Sequence, residues 1–171
     1  MIENDILEIR WPNGSASIRM NKFFPTSGRR CRQLFRRLIL LDPEWPQITE
    51  DLIRYLDGKL QELPGDDYLK GYANSYADCE AEFKKYDRML RGNAAKLDQL
   101  RAQIKETKDK ALRAKLRDLR QESLDFSKTL RDKKSAAKSS MIYSKGAFYE
   151  LLQRRKLYKD DIAVAHEFLG R

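Results

Sequence analysis

From Leu69 to Leu130 the apolar residues recur at alternating steps of three and four, and no proline follows Asp67. This spacing is the heptad pattern of a coiled coil. The first run continues to Ile104 and is followed by residues 105–111, whose only apolar member is alanine. The second run begins at Leu112, one residue out of phase with the first. A chain with this pattern must place much of its length in helices.

The break at residues 105–111 predicts a turn between two antiparallel helices. Folding the chain about residue 108 sets Leu90 opposite Phe126 and polar Asn93 opposite polar Ser123. Each arm would have about 36 residues and a length of about 54 Å. The alternative is one straight helix that dimerises through the same seam, which the lack of glycine or proline at the turn favours. In the second run the predicted seam residues are Leu112, Leu116, Leu119, Ser123, Phe126 and Leu130.

The N-terminal residues predict a small β-hairpin. Leu7, Ile9 and Trp11 alternate with polar residues, and a second alternating stretch follows Asn13 and Gly14. An Asn-Gly pair between alternating runs is typical of a type I′ turn, which requires a positive φ at both central residues. We expect the apolar face of this hairpin to pack on the first helix.

Two helices are predicted between the hairpin and the coiled coil. The first begins with Thr26 or Ser27 as N-cap and ends at Asp42, and the second spans about 47–63. In the first helix a continuous apolar face is formed by Cys31, Leu34, Phe35, Leu38, Ile39 and Leu41.

The end of the chain is expected to return to the N-terminal part. Asp160 and Asp161 would cap a separate, short last helix. The predicted domains are a base with hairpin and two helices at 1–67, a coiled-coil arm at 68–147 and C-terminal helices at 148–171. The fold class is therefore mainly α (α+β): a small base with an N-terminal β-hairpin packed on helices, and a long antiparallel helical hairpin.

Charge is distributed in blocks along the 171 residues, whose net charge is +9. Residues 10–37 hold eight basic and no acidic side chains, whereas 42–67 hold eight acidic and two basic ones. Residues 84–134 hold 17 basic and eight acidic side chains. Basic surfaces of this kind attract nucleic acid or an acidic partner.

The most unusual basic cluster lies at the start of the first helix, in Arg29, Arg30, Arg32, Arg36 and Arg37. A helix N-terminus carries a partial positive charge, so arginines there cost about 0.3 to 1 kcal/mol each. A phosphate group would relieve this cost. Two alternatives are a merely solvated helix face and internal pairing with the acidic residues at 42–67.

We predict that these five arginines form a primary surface for nucleic acid or an acidic partner, and that cations of the coiled coil form a secondary one. The secondary residues are Lys96, Arg101, Lys105, Lys108, Lys110, Arg113, Lys115, Arg117 and Arg120.

The sequence offers little for catalysis. His166 is the only histidine, and phosphate-loop, dinucleotide-binding and hydrolase signatures do not occur. Cys31 and Cys79 lack metal or redox spacing and are expected to be buried thiols. We expect no catalytic residue, metal or cofactor, with an enzyme of unrecognised site as a minor alternative.

Location and assembly follow from hydropathy and periodicity. The longest apolar run is only Leu38 to Leu41, and the first residues do not resemble a signal peptide. A cytoplasmic protein that does not enter a membrane is expected, as a monomer or a coiled-coil homodimer.

These features predict a non-enzymatic binding protein that acts on nucleic acid or on a nucleic-acid-bound protein complex. In size, charge and scarcity of histidine the chain is similar in general character to accessory and inhibitor proteins of phages and mobile elements, such as anti-CRISPR proteins. This comparison is an analogy of composition. The alternative is a structural coiled-coil adaptor that dimerises or recruits an acidic protein partner.

Overall fold

The structure is a computed structural model that describes residues 2–26 and 28–170. Its fold is mainly helical, with an N-terminal antiparallel sheet packed on helices and a long antiparallel helical hairpin, which confirms the predicted fold class. Two compact units are present. The first comprises the chain up to Leu69 together with the part from Tyr149 onward, and the second is Lys70–Phe148.

The sheet of the first unit has the order β1-β2-β3, with β1 at Ile2–Glu3, β2 at Ile6–Trp11 and β3 at Gly14–Arg19. The predicted hairpin is β2 and β3, and the two-residue strand β1 adds to its edge. Leu7 and Ile9 on β2 are buried and enter the hydrophobic core.

The two turns of this sheet differ from the prediction. Trp11 pairs with Gly14, so the central residues of the β2–β3 turn are Pro12 and Asn13. The predicted type I′ turn at Asn13 and Gly14 is wrong, because proline fixes φ near −65° and neither Asn13 nor Gly14 has a positive φ. The type I′ pattern of positive φ occurs instead between β1 and β2, at Asn4 (50°) and Asp5 (60°).

Gly14 is favoured by a close approach and not by its backbone angle. A Cβ atom at this position would lie 3.0 Å from the indole of Trp11. Any larger residue would therefore require the indole to move.

Three helices follow the sheet: α1 at Met20–Phe23, α2 at Gly28–Leu41 and α3 at Trp45–Glu62. The two longer ones confirm the predicted pair. Ser27, one of the two predicted N-cap residues of α2, lies outside the described residues. Thr26, the other, is buried and hydrogen-bonded to a distant side chain.

The core of the first unit combines residues from the sheet, α2, α3 and the last helix. Phe35 and Leu38 on α2 are fully buried, as is Leu52 on α3. Tyr158 and Ala165 from the C-terminal part of the chain pack into the same cluster.

The last helix is not a separate element. Helix α5 runs without interruption over Lys110–Phe168, so the predicted cap at Asp160 and Asp161 is wrong. The physical reason lies in Asp161, whose carboxylate is buried and accepts hydrogen bonds from the backbone N–H (2.6 Å) and hydroxyl (2.9 Å) of Thr26. A side chain engaged in this way stabilises a tertiary contact instead of starting a helix.

The second unit is the helical hairpin formed by α4 (Asp66–Glu106) from Lys70 onward and by α5 as far as Phe148. The helices are separated by Thr107–Asp109, which confirms the predicted turn, and the straight helix is wrong. No glycine is needed because Asp109 accepts a hydrogen bond from Ala111 N–H (2.8 Å) as N-cap of α5. Arg113 donates two hydrogen bonds to the Thr107 carbonyl near the end of α4.

The seam of the hairpin contains a buried polar layer. Asn93 donates hydrogen bonds to the Ser123 carbonyl (2.6 Å) and to the Ser127 hydroxyl (2.8 Å). This confirms the predicted proximity of Asn93 and Ser123. The hydroxyls of Ser75 and Ser144 are 3.0 Å apart further along the hairpin. The midpoints of these three pairs fall between residues 108 and 110, close to the predicted centre at residue 108.

The seam residues of α5 are partly different from those predicted. Buried positions recur every seven residues at Ser123, Leu130, Ala137 and Ser144. Arg120 and Ser127 complete the seam. Of the six predicted residues, Ser123 and Leu130 are buried, Leu116 is half-buried and three are exposed. The exposed residues are Leu112, Leu119 and Phe126. The reason is that Arg120 and Leu119, three and four residues before Ser123, both lie next to it on the helix surface, on either side. Heptad spacing alone does not decide which of the two enters the seam.

Candidate anion-binding faces

The arginine face of α2, defined as Arg29, Arg30, Arg32, Arg36 and Arg37, is directed away from the core. All five side chains are exposed. The opposite side of α2 is buried through Cys31, Leu34, Phe35 and Leu38. Because the opposite side of α2 packs into the core, the guanidinium groups of this face are directed toward solvent.

Of the five arginines of this face, only Arg32 forms an ion pair with another described residue of the chain. Arg32 donates to the Glu167 carboxylate at 2.7 Å, and both side chains are largely exposed. Within 2–26 and 28–170, no ion pair is formed by Arg29, Arg30, Arg36 or Arg37. The internal pairing considered for the acidic residues at 42–67 is thus absent for these four arginines.

A carboxylate does lie near the N-terminal end of α2, but it comes from the other end of the chain. Asp161 binds Thr26, which lies two residues before the helix begins. Burial raises the pKa of Asp161, while the hydrogen bonds from Thr26 oppose that rise. An acidic group, which the N-terminus of a helix favours, is therefore supplied here by another segment of the chain. The argument for an external anion rests on the arginine side chains.

Cys31 lies in the same buried cluster. Its thiol donates a weak hydrogen bond to the Asp161 carbonyl at 3.7 Å, and burial raises its pKa. A thiol with a raised pKa is a poor nucleophile, so Cys31 is structural as predicted. Cys79 is half-buried, which is less than the burial predicted for it.

An exposed apolar residue interrupts the arginine face. Leu40 is 82 % exposed and lies on the arc between Arg36 and Arg37. Its neighbours Ile39 and Leu41 are also exposed, so the predicted inward face of α2 is wrong at these two positions. The reason is that Leu38 fills the centre of the apolar face in this last turn, whereas Ile39 and Leu41 lie at its two edges. Leu40 could have been found from the sequence, because it falls outside the predicted apolar face.

The secondary cations all lie in the second unit. Those exposed without an ion pair among the described residues are Lys96, Lys105, Lys108, Lys110, Lys115 and Arg117. Arg101 pairs with Asp98 at 3.1 Å. Arg113 and Arg120 are half-buried, the first bonded to the turn and the second in the seam. These two arginines have a structural position that the sequence did not indicate.

Other kinds of site have little basis in the described chain. Within the described ranges, no group of three or more histidine, cysteine, aspartate or glutamate side chains is arranged to hold a metal ion. In the same part of the chain, no helix has both the length and the apolar character needed to cross a bilayer.

Comparisons with known proteins gave no relationship. No protein-family model matches this chain, and no significant match was found among curated proteins or among solved structures.

Proposed function

We propose that this chain is a non-enzymatic binding protein that contacts the phosphate groups of a nucleic acid, free or within a protein complex, through the arginine face of α2. The exposed cations of the helical hairpin would supply a second contact surface. The observation that carries this proposal is the exposure of Arg29, Arg30, Arg36 and Arg37 without an ion-pair partner among the described residues. Guanidinium groups bind phosphate oxygens in a bidentate manner and are weakly hydrated, which suits them to this contact.

Leu40 supports the second form of the target, a nucleic acid bound to protein. A phosphate backbone offers nothing to an apolar side chain, whereas a protein surface does. Arginines around an exposed leucine therefore match a composite surface of phosphate and protein. Blocking such a complex by contact is the function that the analogy with phage and mobile-element inhibitors suggests.

The test is the salt dependence of binding to fluorescent DNA and RNA of equal length, as duplexes and single strands. Arg29→Ala/Arg30→Ala should lower the slope of log affinity against log salt by about two, and Arg36→Ala/Arg37→Ala should act similarly. A matched control is Lys156→Ala/Lys159→Ala, which removes the same charge from exposed positions in the same unit.

The controls separate a specific contact from a general charge effect. If the lysine pair lowers the slope as much as the arginine pairs, the arginine face is not the contact surface. If the unmodified protein binds none of the four nucleic acids even at low salt, free nucleic acid is not its target.

The alternative function, a structural adaptor, is favoured by a different observation. The helical hairpin exposes large apolar side chains along α5, which include Leu112, Leu119 and Phe126. Surfaces of this kind mark protein contacts.

A further inference from the structure

The helical hairpin carries an apolar stripe that its own seam does not use. Leu112, Leu119 and Phe126 lie seven residues apart on α5 and are 48 %, 43 % and 45 % exposed. We call these three residues the flanking stripe. Positions beside the seam of a two-helix coiled coil are usually charged, whereas helices with a wider apolar surface pack in bundles.

A shallow groove lies beside one end of the flanking stripe. It has a volume of about 460 Å³ and is lined by Met89 and Gly92 of α4 and by Glu122 and Phe126 of α5. The space above Gly92 is open, because a Cβ atom added there would meet no other atom within 4 Å. A leucine side chain from another helix would find apolar contacts on Met89 and Phe126.

We propose that the flanking stripe binds a second copy of this chain, with the two α5 helices antiparallel about a two-fold axis near Leu119. In this arrangement Leu119 meets Leu119 of the second copy, and Leu112 of each copy meets Phe126 of the other at the groove. A two-fold interface requires a self-complementary surface, and an evenly spaced stripe with apolar ends meets this requirement.

Charge selects the antiparallel orientation. Lys115 and Glu122 lie on the same face of α5 as the stripe, are exposed, and form no ion pair within the described part of the chain. About an axis at Leu119 they lie at nearly equal distances on either side, so Lys115 of one copy faces Glu122 of the other. A parallel pair would instead set lysine against lysine and glutamate against glutamate, which is unfavourable.

The first experiment measures the molar mass of the full chain in solution over a range of concentrations. The unmodified protein should be a dimer at about 100 µM, because specific complexes commonly have dissociation constants well below this concentration. Leu119→Glu should raise the dissociation constant at least tenfold, since it sets two carboxylates against each other at the axis. The control is Ile142→Glu, which changes a 63 % exposed residue of the same hairpin outside the stripe and should leave the dimer intact.

A charge exchange tests the orientation. Lys115→Glu and Glu122→Lys should each weaken the dimer severalfold, and the double variant should restore it. Circular dichroism of each variant should match that of the unmodified protein, because all three changed positions are exposed and outside the seam.

The outcomes are distinct from those of the nucleic-acid test. A monomer at about 100 µM, or equal mass for the Leu119→Glu variant and the unmodified protein, overturns the proposal. If Lys115→Glu and Glu122→Lys each leave the dimer unchanged, the proposed antiparallel pairing is wrong, because in a parallel pair each variant only exchanges one like-charged pair for another.

Discussion

The two compact units are stabilised in different ways. The first surrounds several large apolar side chains on all sides, so that Leu7, Phe35 and Leu52 are completely buried. The second has only two helices, and its seam combines Asn93 and buried serines with leucines such as Leu97 and Leu130. Two helices alone lack the second layer that a full core requires, so polar pairing supplies specificity where apolar burial is limited.

The difference in packing between the two units is tested most strongly by changing one buried leucine to alanine in each unit. Leu52→Ala should destabilise the first unit by about 3 to 4 kcal/mol, because it leaves a closed cavity. Leu97→Ala should cost about 2 kcal/mol or less, since this residue lies in a seam that water and neighbouring side chains can fill. Native-state hydrogen exchange measures both units separately, and equal costs would contradict the contrast.

The buried carboxylate of the first unit should be nearly as important. Asp161→Ala removes the acceptor of two hydrogen bonds from buried Thr26 and should lower the free energy of unfolding by about 2 to 3 kcal/mol. Asp160→Ala is the matched control, because Asp160 is exposed, and should change stability by less than about 0.5 kcal/mol. Similar losses in the two variants, measured by urea unfolding, would show that Asp161 has no special role.

The polar layer of the second unit should contribute less. Asn93→Ala removes two hydrogen bonds and should cost about 1 kcal/mol, whereas Asn74→Ala, at an exposed position of the same helix, should cost nothing. Asn93→Leu should keep stability but weaken the register. Spin labels at positions 98 and 118 would then show a broader distance distribution than in the parent, and an unchanged distribution would rule out a role in register.

The smallest expected effect is on the pH dependence of stability. One buried or paired carboxylate in each unit should change the free energy of unfolding in opposite directions as pH rises. Burial raises the pKa of Asp161, so the folded protein binds a proton at this carboxyl more tightly than the unfolded chain does. The contribution of Asp161 to stability therefore falls as pH rises above about 4. In the second unit the hydrogen bond from Lys134 lowers the pKa of Asp87, so that contribution is present above about pH 4 and is lost as pH falls further.

The measurement compares the unmodified protein with Asp161→Asn and Asp87→Asn at several pH values. The stability difference from the Asp161 variant should shrink with rising pH, and the difference from the Asp87 variant should grow. The same trend in both would contradict the opposite environments of the two carboxylates.

Much of the fold could be predicted because it depends on local patterns. The bounds of α2, the β2–β3 hairpin and the turn after Glu106 follow from spacing and composition near each element. The candidate site is predictable in the same sense: the arginine face is exposed because the opposite face of α2 is apolar. Arg113 and Arg120 could not be placed, since their surroundings depend on the turn and on the rotation of α5.

The sequence by itself determined α2, α3 and the antiparallel hairpin, because the apolar spacing of each helix and the break at 105–111 are local features of the chain. Only the tertiary structure decided which of the residues beside Ser123 on α5 enter the seam, and Leu119 is one of those left exposed. It also placed Asp161 beside Thr26, 135 residues away along the chain. The physical reason is the same in both cases. Local spacing fixes which side chains share a face, whereas the partner of that face depends on contacts between distant segments.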